Sequence, residues 1–181
     1  MKHDGGWRLR NSRYAFENRW YKVRQDELQL PTGELITYNV VEHPGYAMVV
    51  PLLDDGRVIL EHVYRHTVQE TVIECPSGGL DQDTPEVAAR RELEEETGWV
   101  AGKLEPLGSF FGSDGISNEV CHLFLATELR QTGKMHREPT EQIELELMPF
   151  DRAIELAVSG KIADGPSVLS LLLAERRLKG K

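Results

Sequence analysis

The stretch from residue 78 to residue 99 constrains the fold of this chain more than any other part of its sequence. Thr84 is a typical N-cap residue, and Pro85 suits the first helical position, where a missing N–H costs nothing. The residues that follow are good helix formers, and Gly98 supplies a C-terminal stop. This pattern predicts a helix from residue 85 to residue 97, entered from a glycine turn.

The predicted helix carries an acidic cluster. Glu92, Glu95 and Glu96 are spaced i, i+3 and i+4, so a helix places all three carboxylates on one face. Like charges this close destabilise a helix unless a cation neutralises them, and carboxylate oxygens are ligands that Mg²⁺, Ca²⁺ or Mn²⁺ prefer. A Glu-rich helix by itself is usually a solvated face. The glycine turn and the fixed order of residues around the cluster favour a metal site.

At these residues the chain resembles the Nudix hydrolases. The signature of that family is Gly, five residues, Glu, seven residues, then Arg-Glu-aliphatic-x-Glu-Glu-x-Gly-aliphatic, and residues 91–99 match its second half. The first half departs, because Asp83 replaces the Glu and Ser77 stands where the Gly is expected. Gly78 follows one residue later, so we interpret the difference as a one-residue deletion in the loop with a Glu-to-Asp change.

The resemblance extends over roughly residues 20–173, and residues 74–78 look like the approach to the signature in members that act on nucleotide sugars. It implies Mg²⁺-dependent hydrolysis of the diphosphate bond of nucleoside diphosphate sugars, with ADP-ribose as the first candidate and GDP-mannose as the second. Asp114 replaces a proline that ADP-ribose-specific members often carry, which keeps the two candidates close. Hydrolysis of dinucleoside polyphosphates or nucleoside triphosphates is an alternative, as is a non-catalytic nucleotide sensor.

The resemblance also implies a set of metal ligands. These are the carboxylates of Glu92, Glu95 and Glu96 and the main-chain carbonyl of Ser77, with Mg²⁺ as the metal and Mn²⁺ as a possible substitute. Glu95 and Glu96 are therefore candidate catalytic residues, and Arg91 can pair with a neighbouring carboxylate or hold it in place for the metal.

The general base is a separate question. In related enzymes it is a Glu of the helix or one on a late loop, which corresponds here to residues 134–142. Glu141 is the first candidate and Glu138 the second, and an ordinary surface role is the alternative for each.

Arg65 resembles an arginine that contacts the substrate phosphates in relatives, and the fork of a guanidinium suits such oxygens. A salt bridge to Glu70 or Glu74 is the competing explanation. Glu74 and Glu119 could bind ribose or sugar hydroxyls, or could simply hold Arg65.

Two aromatic residues near the amino terminus are candidates for the base site. Trp20 or Tyr21 could stack on a nucleobase, within one subunit or across a dimer, and core packing is the alternative for either ring. Stacking tolerates any base and would not set specificity.

The order of elements predicts an α/β fold, and the resemblance implies the Nudix α/β/α sandwich with a mixed sheet. It also implies that residues 1–45 form a small antiparallel β lobe used for homodimerisation, with the hydrolase domain at residues 46–181. Residues 1–13 are expected to be frayed. The alternation of apolar residues predicts two hairpins (20–30 with 34–41, and 47–53 with 57–64) and strands at 72–75, 104–111, 120–127 and 143–148. Two further helices are expected, from a cap at Asp151 to residue 159 and from a cap at Ser167 to about residue 178.

The composition of the chain limits which classes of function are expected. A net charge of −9 argues against a nucleic-acid or anionic-membrane partner, although a bound metal would reverse the sign locally. The sequence contains no apolar run near the length of a membrane span and no signal peptide, so a cytoplasmic location is expected. Cys75 and Cys121 lie in apolar runs and are expected to be buried free thiols.

Overall fold

The computed structural model describes residues 5–137 and 142–180, which fold into two compact units. The smaller unit contains the described residues up to Pro44 together with Phe111–Val120, and the larger unit contains Gly45–Phe110 and the described residues from Cys121 onwards. The proposed division of the chain into a lobe at 1–45 and a hydrolase domain at 46–181 stays a prediction. The segment 111–120, however, folds with the smaller unit.

Among the described residues, the first helix lies between strands in the chain order, and the other two helices follow the last strand. In chain order the elements are β1 (Arg8–Glu17), β2 (Lys22–Gln29), β3 (Leu35–Glu42), β4 (Tyr46–Pro51), β5 (Arg57–Arg65), β6 (Glu70–Glu74), β7 (Ser77–Gly79), α1 (Pro85–Thr97), β8 (Trp99–Phe111), β9 (Val120–Gln131), β10 (Ile143–Pro149), α2 (Phe150–Val158) and α3 (Gly165–Leu178).

The smaller unit is an antiparallel sheet with the order β1-β2-β3. The first predicted hairpin is confirmed, because β2 and β3 pair across the turn that precedes Leu35. The expectation that residues 1–13 are frayed is wrong for residues 8–13, since β1 pairs with β2 there. Residues 1–4, which the same expectation covers, lie outside the described residues. The segment 111–120 lies against β3, where the Val41 amide donates to the Ile116 carbonyl at 2.8 Å.

The larger unit contains two sheets, with the orders β7-β4-β9-β8 and β10-β5-β6. Strand β4 runs parallel to β9 and antiparallel to β7, so the first sheet is mixed, as expected. Successive side chains of a strand point to opposite faces. Ala47 and Val49 belong to the apolar cluster that includes α1, whereas Met48 and Val50 belong to the cluster that includes α2 and α3. Helices therefore cover both faces of β4, which is the predicted α/β/α arrangement.

The second predicted hairpin is wrong, although its turn forms. The Gly56 amide donates to the Leu53 carbonyl at 3.0 Å, but β4 and β5 then enter different sheets. In the described part of the chain, the pairing left between these runs is an isolated bridge from Leu52 to Val58. The physical reason is that β4 is buried on both faces and takes β7 and β9 as its neighbours.

The ends of the three helices depend partly on neighbouring residues and partly on residues far along the chain. Helix α1 has the predicted bounds, but the predicted caps of the other two helices are wrong. Asp151 lies in the first turn of α2, which has no side-chain cap. Asp164 caps α3 by accepting from the Ser167 amide at 2.8 Å, while the Ser167 hydroxyl accepts from the Cys75 amide at 2.8 Å.

Cys75 and Cys121 are buried free thiols, as predicted, and burial raises the pKa of Cys75. Within residues 5–137 and 142–180, none of the helices combines the length and the apolar character that crossing a membrane requires.

Candidate active site

Helix α1, which carries the three carboxylates, has a well-defined start and end. The Thr84 hydroxyl accepts from the Val87 amide at 3.4 Å, and Pro85 occupies the first turn. Gly98 ends the helix in the left-handed region with φ of 75°, where glycine carries no steric penalty. These local signals fix the bounds of the helix that carries the acidic cluster.

Two of the three carboxylates are nearly buried. Glu92 is 8% exposed and Glu96 is 6% exposed, whereas Glu95 is only partly covered. Burying a charge is costly unless it is paired or hydrogen-bonded. The Ser77 amide, at the start of β7, donates to Glu96 Oε2 at 2.8 Å. The predicted ligand residues Glu96 and Ser77 are therefore brought together.

Arg91 ties the acidic face of α1 to the loop before it. Its Nη1 contacts Glu92 Oε1 at 2.5 Å and Glu95 Oε2 at 3.2 Å, its Nε contacts Asp83 Oδ2 at 3.3 Å, and its Nη2 donates to the Gly79 carbonyl at 2.9 Å. Burial alone would lower the pKa of Arg91, but the charge of Glu92 and the hydrogen bonds to its carboxylate partners raise it. Asp83 thus reaches the helix arginine in spite of the shorter loop.

Gly78 lies directly against the acidic cluster. A Cβ atom added there would fall 1.9 Å from Glu92 Cδ, closer than any real contact. At Gly79 the nearest atom to an added Cβ would be Asp81 Oδ1, at an ordinary 3.8 Å. A side chain at residue 78 would therefore occupy the space that the Glu92 carboxylate needs.

The donor set fits a hard divalent cation. Oxygen ligands from Glu92, Glu95 and Glu96 and from a main-chain carbonyl are the type that Mg²⁺ and Mn²⁺ take, and Gly78 keeps the backbone close to them. In the part of the chain that the structure describes, no group of three or more His, Cys, Asp or Glu side chains is already arranged to hold a metal ion. At this site Arg91 and the Ser77 amide contact the carboxylates, and a cation would take over those contacts.

Arg65 forms the salt bridge that was its competing explanation. Its Nε donates to Glu74 Oε1 at 2.8 Å, and its Nη2 contacts the second oxygen of the same carboxylate. The hydrogen bond that Arg65 donates to Glu74 raises the pKa of Arg65 in spite of partial burial, and attraction to Glu96 adds to it. Glu74 is buried, while about half of the Arg65 side chain is open to solvent. Arg65 is thus held in place with part of its surface accessible.

The other two predicted binding residues lie in the smaller unit. Glu119 Oε1 is 3.0 Å from His43 Nδ1. Trp20 is 57% exposed and Tyr21 is 38% exposed, so neither ring packs in a core. Trp20 lines a cavity of about 430 Å³, and the Arg19 guanidinium lies 4.2 Å from the centre of its ring.

The sequence reasoning missed the residues that hold the end of α1. The His136 amide donates to the Glu95 carbonyl at 3.0 Å, and Arg137 Nε donates to the Glu96 carbonyl at 2.9 Å. The sequence near these residues carries no motif that could have indicated the contacts. Glu141 and Glu138, the candidate bases, lie outside the described residues.

Comparison with known proteins agrees with this geometry. Residues 42–168 match the model of the NUDIX domain, and residues 7–41 match the nucleoside diphosphate sugar hydrolase N-terminal domain. The chain is 32% identical over 148 residues, 81% of its length and 80% of the relative's, to the ADP-ribose pyrophosphatase of Bacillus subtilis (strain 168).

A second relative covers less of the chain, and a solved structure covers nearly all of it. The chain is 40% identical over 104 residues to the GDP-mannose pyrophosphatase of Salmonella arizonae (strain ATCC BAA-731 / CDC346-86 / RSK2980), which covers 55% of the chain and 53% of that protein. The crystal structure of an ADP compounds hydrolase shares the fold, with a TM-score of 0.85 at 22% identity over 99% of this chain and 98% of the other. The chain therefore belongs to the Nudix family.

Proposed function

We propose that this chain hydrolyses the diphosphate bond of nucleoside diphosphate sugars to a nucleoside monophosphate and a sugar phosphate. The observation that carries the proposal is the placement of Glu92, Glu95 and Glu96 on one face of α1, against the turn at Ser77 and Gly78. A diphosphate carries dense negative charge, so its hydrolysis needs a group of carboxylates that gathers cations at the scissile bond.

Nudix hydrolases generally use a divalent metal ion, and we propose Mg²⁺ here, with Mn²⁺ as a substitute. Glu92, Glu95, Glu96 and the Ser77 carbonyl would hold it. When bound, such an ion polarises a phosphoryl oxygen and lowers the pKa of a bound water. Arg91 keeps the Glu92 and Glu95 carboxylates in position before substrate arrives.

The reaction adds one water across the diphosphate. The water oxygen forms a bond to one phosphorus, and the bond from that phosphorus to the bridging oxygen breaks. The proton of the water passes to a general base. Glu141 is the first candidate for that base and Glu138 the second, and a Glu of α1 takes the role if neither does.

Residues outside the metal site are proposed to contact the rest of the substrate. The accessible part of Arg65 presents donors to the phosphates, with Glu74 fixing the orientation of the fork. Glu74 and Glu119 are the proposed partners of ribose or sugar hydroxyls. Trp20 offers an exposed ring for stacking on the base, on the side that Arg19 leaves open.

The preferred substrate is ADP-ribose, with GDP-mannose close behind. The relative from Bacillus subtilis is named an ADP-ribose pyrophosphatase, and the one from Salmonella arizonae a GDP-mannose pyrophosphatase. The first aligns over most of this chain and the second over about half, which supports the order of preference. Asp114 stands where ADP-ribose-specific members often carry a proline, so GDP-mannose stays the second proposed substrate. We also propose that the chain forms a homodimer through its smaller unit.

Turnover against a panel of nucleotides with Mg²⁺ tests this function. The panel contains ADP-ribose, GDP-mannose, UDP-glucose, NADH, diadenosine polyphosphates and nucleoside triphosphates, with products resolved by chromatography. We expect a nucleoside monophosphate and a sugar phosphate from one or more nucleotide sugars. Turnover restricted to triphosphates or dinucleoside polyphosphates would make that class, and not nucleotide sugars, the substrate of this chain. Metal binding without any turnover would favour a nucleotide sensor.

A further inference from the structure

The last turn of α1 obtains its hydrogen-bond donors from a distant part of the chain. The final carbonyls of a helix have no partner within the helix, and a cation near them is favourable. No residue in the last turn of α1 is basic. Instead, the Glu95 carbonyl accepts from the His136 amide at 3.0 Å, and the Gly98 carbonyl accepts from the Thr132 amide at 2.8 Å. The segment after β9 thus completes the carboxyl end of this helix.

Arg137 makes the strongest of these contacts. Its Nε donates to the Glu96 carbonyl at 2.9 Å, and its Nη2 contacts the same oxygen. Its Nη1 donates to the Ile143 carbonyl, at the start of β10, at 2.7 Å. One planar guanidinium therefore joins the end of α1 to the edge of a second sheet. A lysine, with a compact ammonium group, could not span both carbonyls in this way.

The position of the Arg137 contacts matters because Glu95 and Glu96 lie in the helical turn that these contacts hold. Terminal turns of helices open more readily than interior turns. A small rotation of the last turn would displace both carboxylates from the Ser77 amide and from Arg91. Groups behind the direct ligands of a metal commonly control its affinity through such orientation.

We infer that Arg137 is a positioning residue, which fixes the last turn of α1 and so orients the Glu95 and Glu96 carboxylates for the cation. The inference rests on the proposed function of those carboxylates. It assigns Arg137 no contact with substrate and no part in proton transfer.

The test compares Arg137→Ala and Arg137→Lys with a matched control, Arg90→Ala. Arg90 also lies on α1 and donates a guanidinium hydrogen bond to a carbonyl, that of Ala101, at 2.8 Å. Mn²⁺ affinity of the full chain is measured by titration calorimetry, alongside thermal unfolding and turnover of ADP-ribose. We expect Arg137→Ala to weaken Mn²⁺ binding about 10–100-fold. Arg137→Lys should fall between Arg137→Ala and wild type, and Arg90→Ala should stay within about twofold of wild type.

The outcomes separate this inference from the proposed function. If Arg137→Ala loses no more metal affinity than Arg90→Ala at similar thermal stability, Arg137 is only structural and the inference is overturned. A wild-type chain that binds no Mn²⁺ overturns it as well. If the wild-type chain binds Mn²⁺ but cleaves no nucleotide sugar, and Arg137→Ala still weakens binding, the inference stands while the proposed function fails. Should Arg137→Ala not fold, the Mn²⁺ affinities of Arg137→Lys and Arg90→Ala are compared instead. Weaker binding by Arg137→Lys supports the inference, and equal binding overturns it.

Discussion

The two compact units of this chain differ in what they bury. The larger unit contains two apolar clusters, one on each face of the sheet that includes β4. In the smaller unit, the one buried residue among those described is a carboxylate, Asp26, at 5% exposure. Many of the large apolar side chains of the smaller unit are instead exposed; they include Trp7, Leu9, Tyr14, Phe16, Trp20 and Leu35.

This difference teaches how the two units are stabilised. Apolar burial is the main favourable term in folding, and a sheet of three strands needs an apolar face against a partner to be independently stable. The larger unit has that burial within its own residues. The smaller unit is held by cross-strand polar pairs, and its exposed aromatic side chains are available to a second copy. This contrast supports the proposed homodimer.

The largest effect is expected at the acidic face of α1. Glu96→Gln removes the charge of a proposed metal ligand but keeps the shape of the side chain, so turnover should fall about a hundredfold or more while the fold survives. Steady-state kinetics and circular dichroism measure the two effects. Glu94→Gln is the matched control, because Glu94 lies on the same helix and accepts from the Thr132 hydroxyl at 3.1 Å. Unchanged turnover in Glu96→Gln would remove this residue from the reaction.

Gly78→Ala should give the next largest effect. The added methyl group would displace the end of the Glu92 side chain, which can move, so we expect metal affinity to fall about 10–100-fold with little change in stability. Gly79→Ala is the control, because its Cβ meets only ordinary contacts. Calorimetric titration with Mn²⁺ distinguishes the two variants. Equal affinities would mean that the close approach at Gly78 has no bearing on the metal.

The range of a contact along the chain, rather than the unit it lies in, explains how much the sequence could predict. The bounds of α1 and the hairpin of β2 and β3 depend on neighbouring residues, such as Thr84, Pro85 and Gly98, and were predicted correctly. Strand β1 was missed because every residue in it is exposed, and its large apolar residues Leu9, Tyr14 and Phe16 do not follow one regular alternation. Its stability comes from cross-strand partners, such as Asp26 for Ser12, that no local pattern shows.

Long-range pairing accounts for the remaining differences. The partners of β4 are β7 and β9, which are far along the chain, so an apparent hairpin with β5 was the natural interpretation. Likewise, the acidic cluster could be read from its spacing, but the contact of Arg137 with the Glu96 carbonyl could not. Residues within one helix or turn were predictable, and residues brought together by the sheet were not.

A third prediction tests the binding role of the smaller unit. If Trp20 stacks on the base, Trp20→Ala should raise KM about tenfold with little change in kcat, because stacking is worth about 1–3 kcal/mol per base. Trp7→Ala is the control, since Trp7 is a second exposed ring of this unit and packs edge-on against Tyr38. Kinetics with ADP-ribose measure both. Equal KM values for the two variants would limit the smaller unit to assembly.

The smallest effect, on stability rather than activity, concerns the buried carboxylate. Asp26 accepts from Arg24 Nε at 2.9 Å and from the Ser12 hydroxyl at 2.6 Å. The hydrogen bond from Arg24 lowers the pKa of Asp26, although burial opposes the shift. A carboxylate with a lowered pKa stabilises the folded state above its ordinary pKa of about 3.9 and loses that contribution as pH falls through the folded-state value. Asp26→Asn should therefore cost about 1–3 kcal/mol at neutral pH, and the difference from wild type should shrink below about pH 4.

Urea unfolding from pH 7 to pH 3.5 measures the Asp26→Asn difference, and amide hydrogen exchange shows where it acts. Loss of protection should be confined to β1, β2 and β3, with β4 unchanged, because the apolar clusters of the larger unit do not include these strands. Asp55→Asn is the control, since Asp55 pairs with Arg57 in an exposed turn, and exposed pairs contribute little. If Asp26→Asn instead loosened β4 as much as β2, the two units would share their stability, and polar pairing could not be what holds the smaller one.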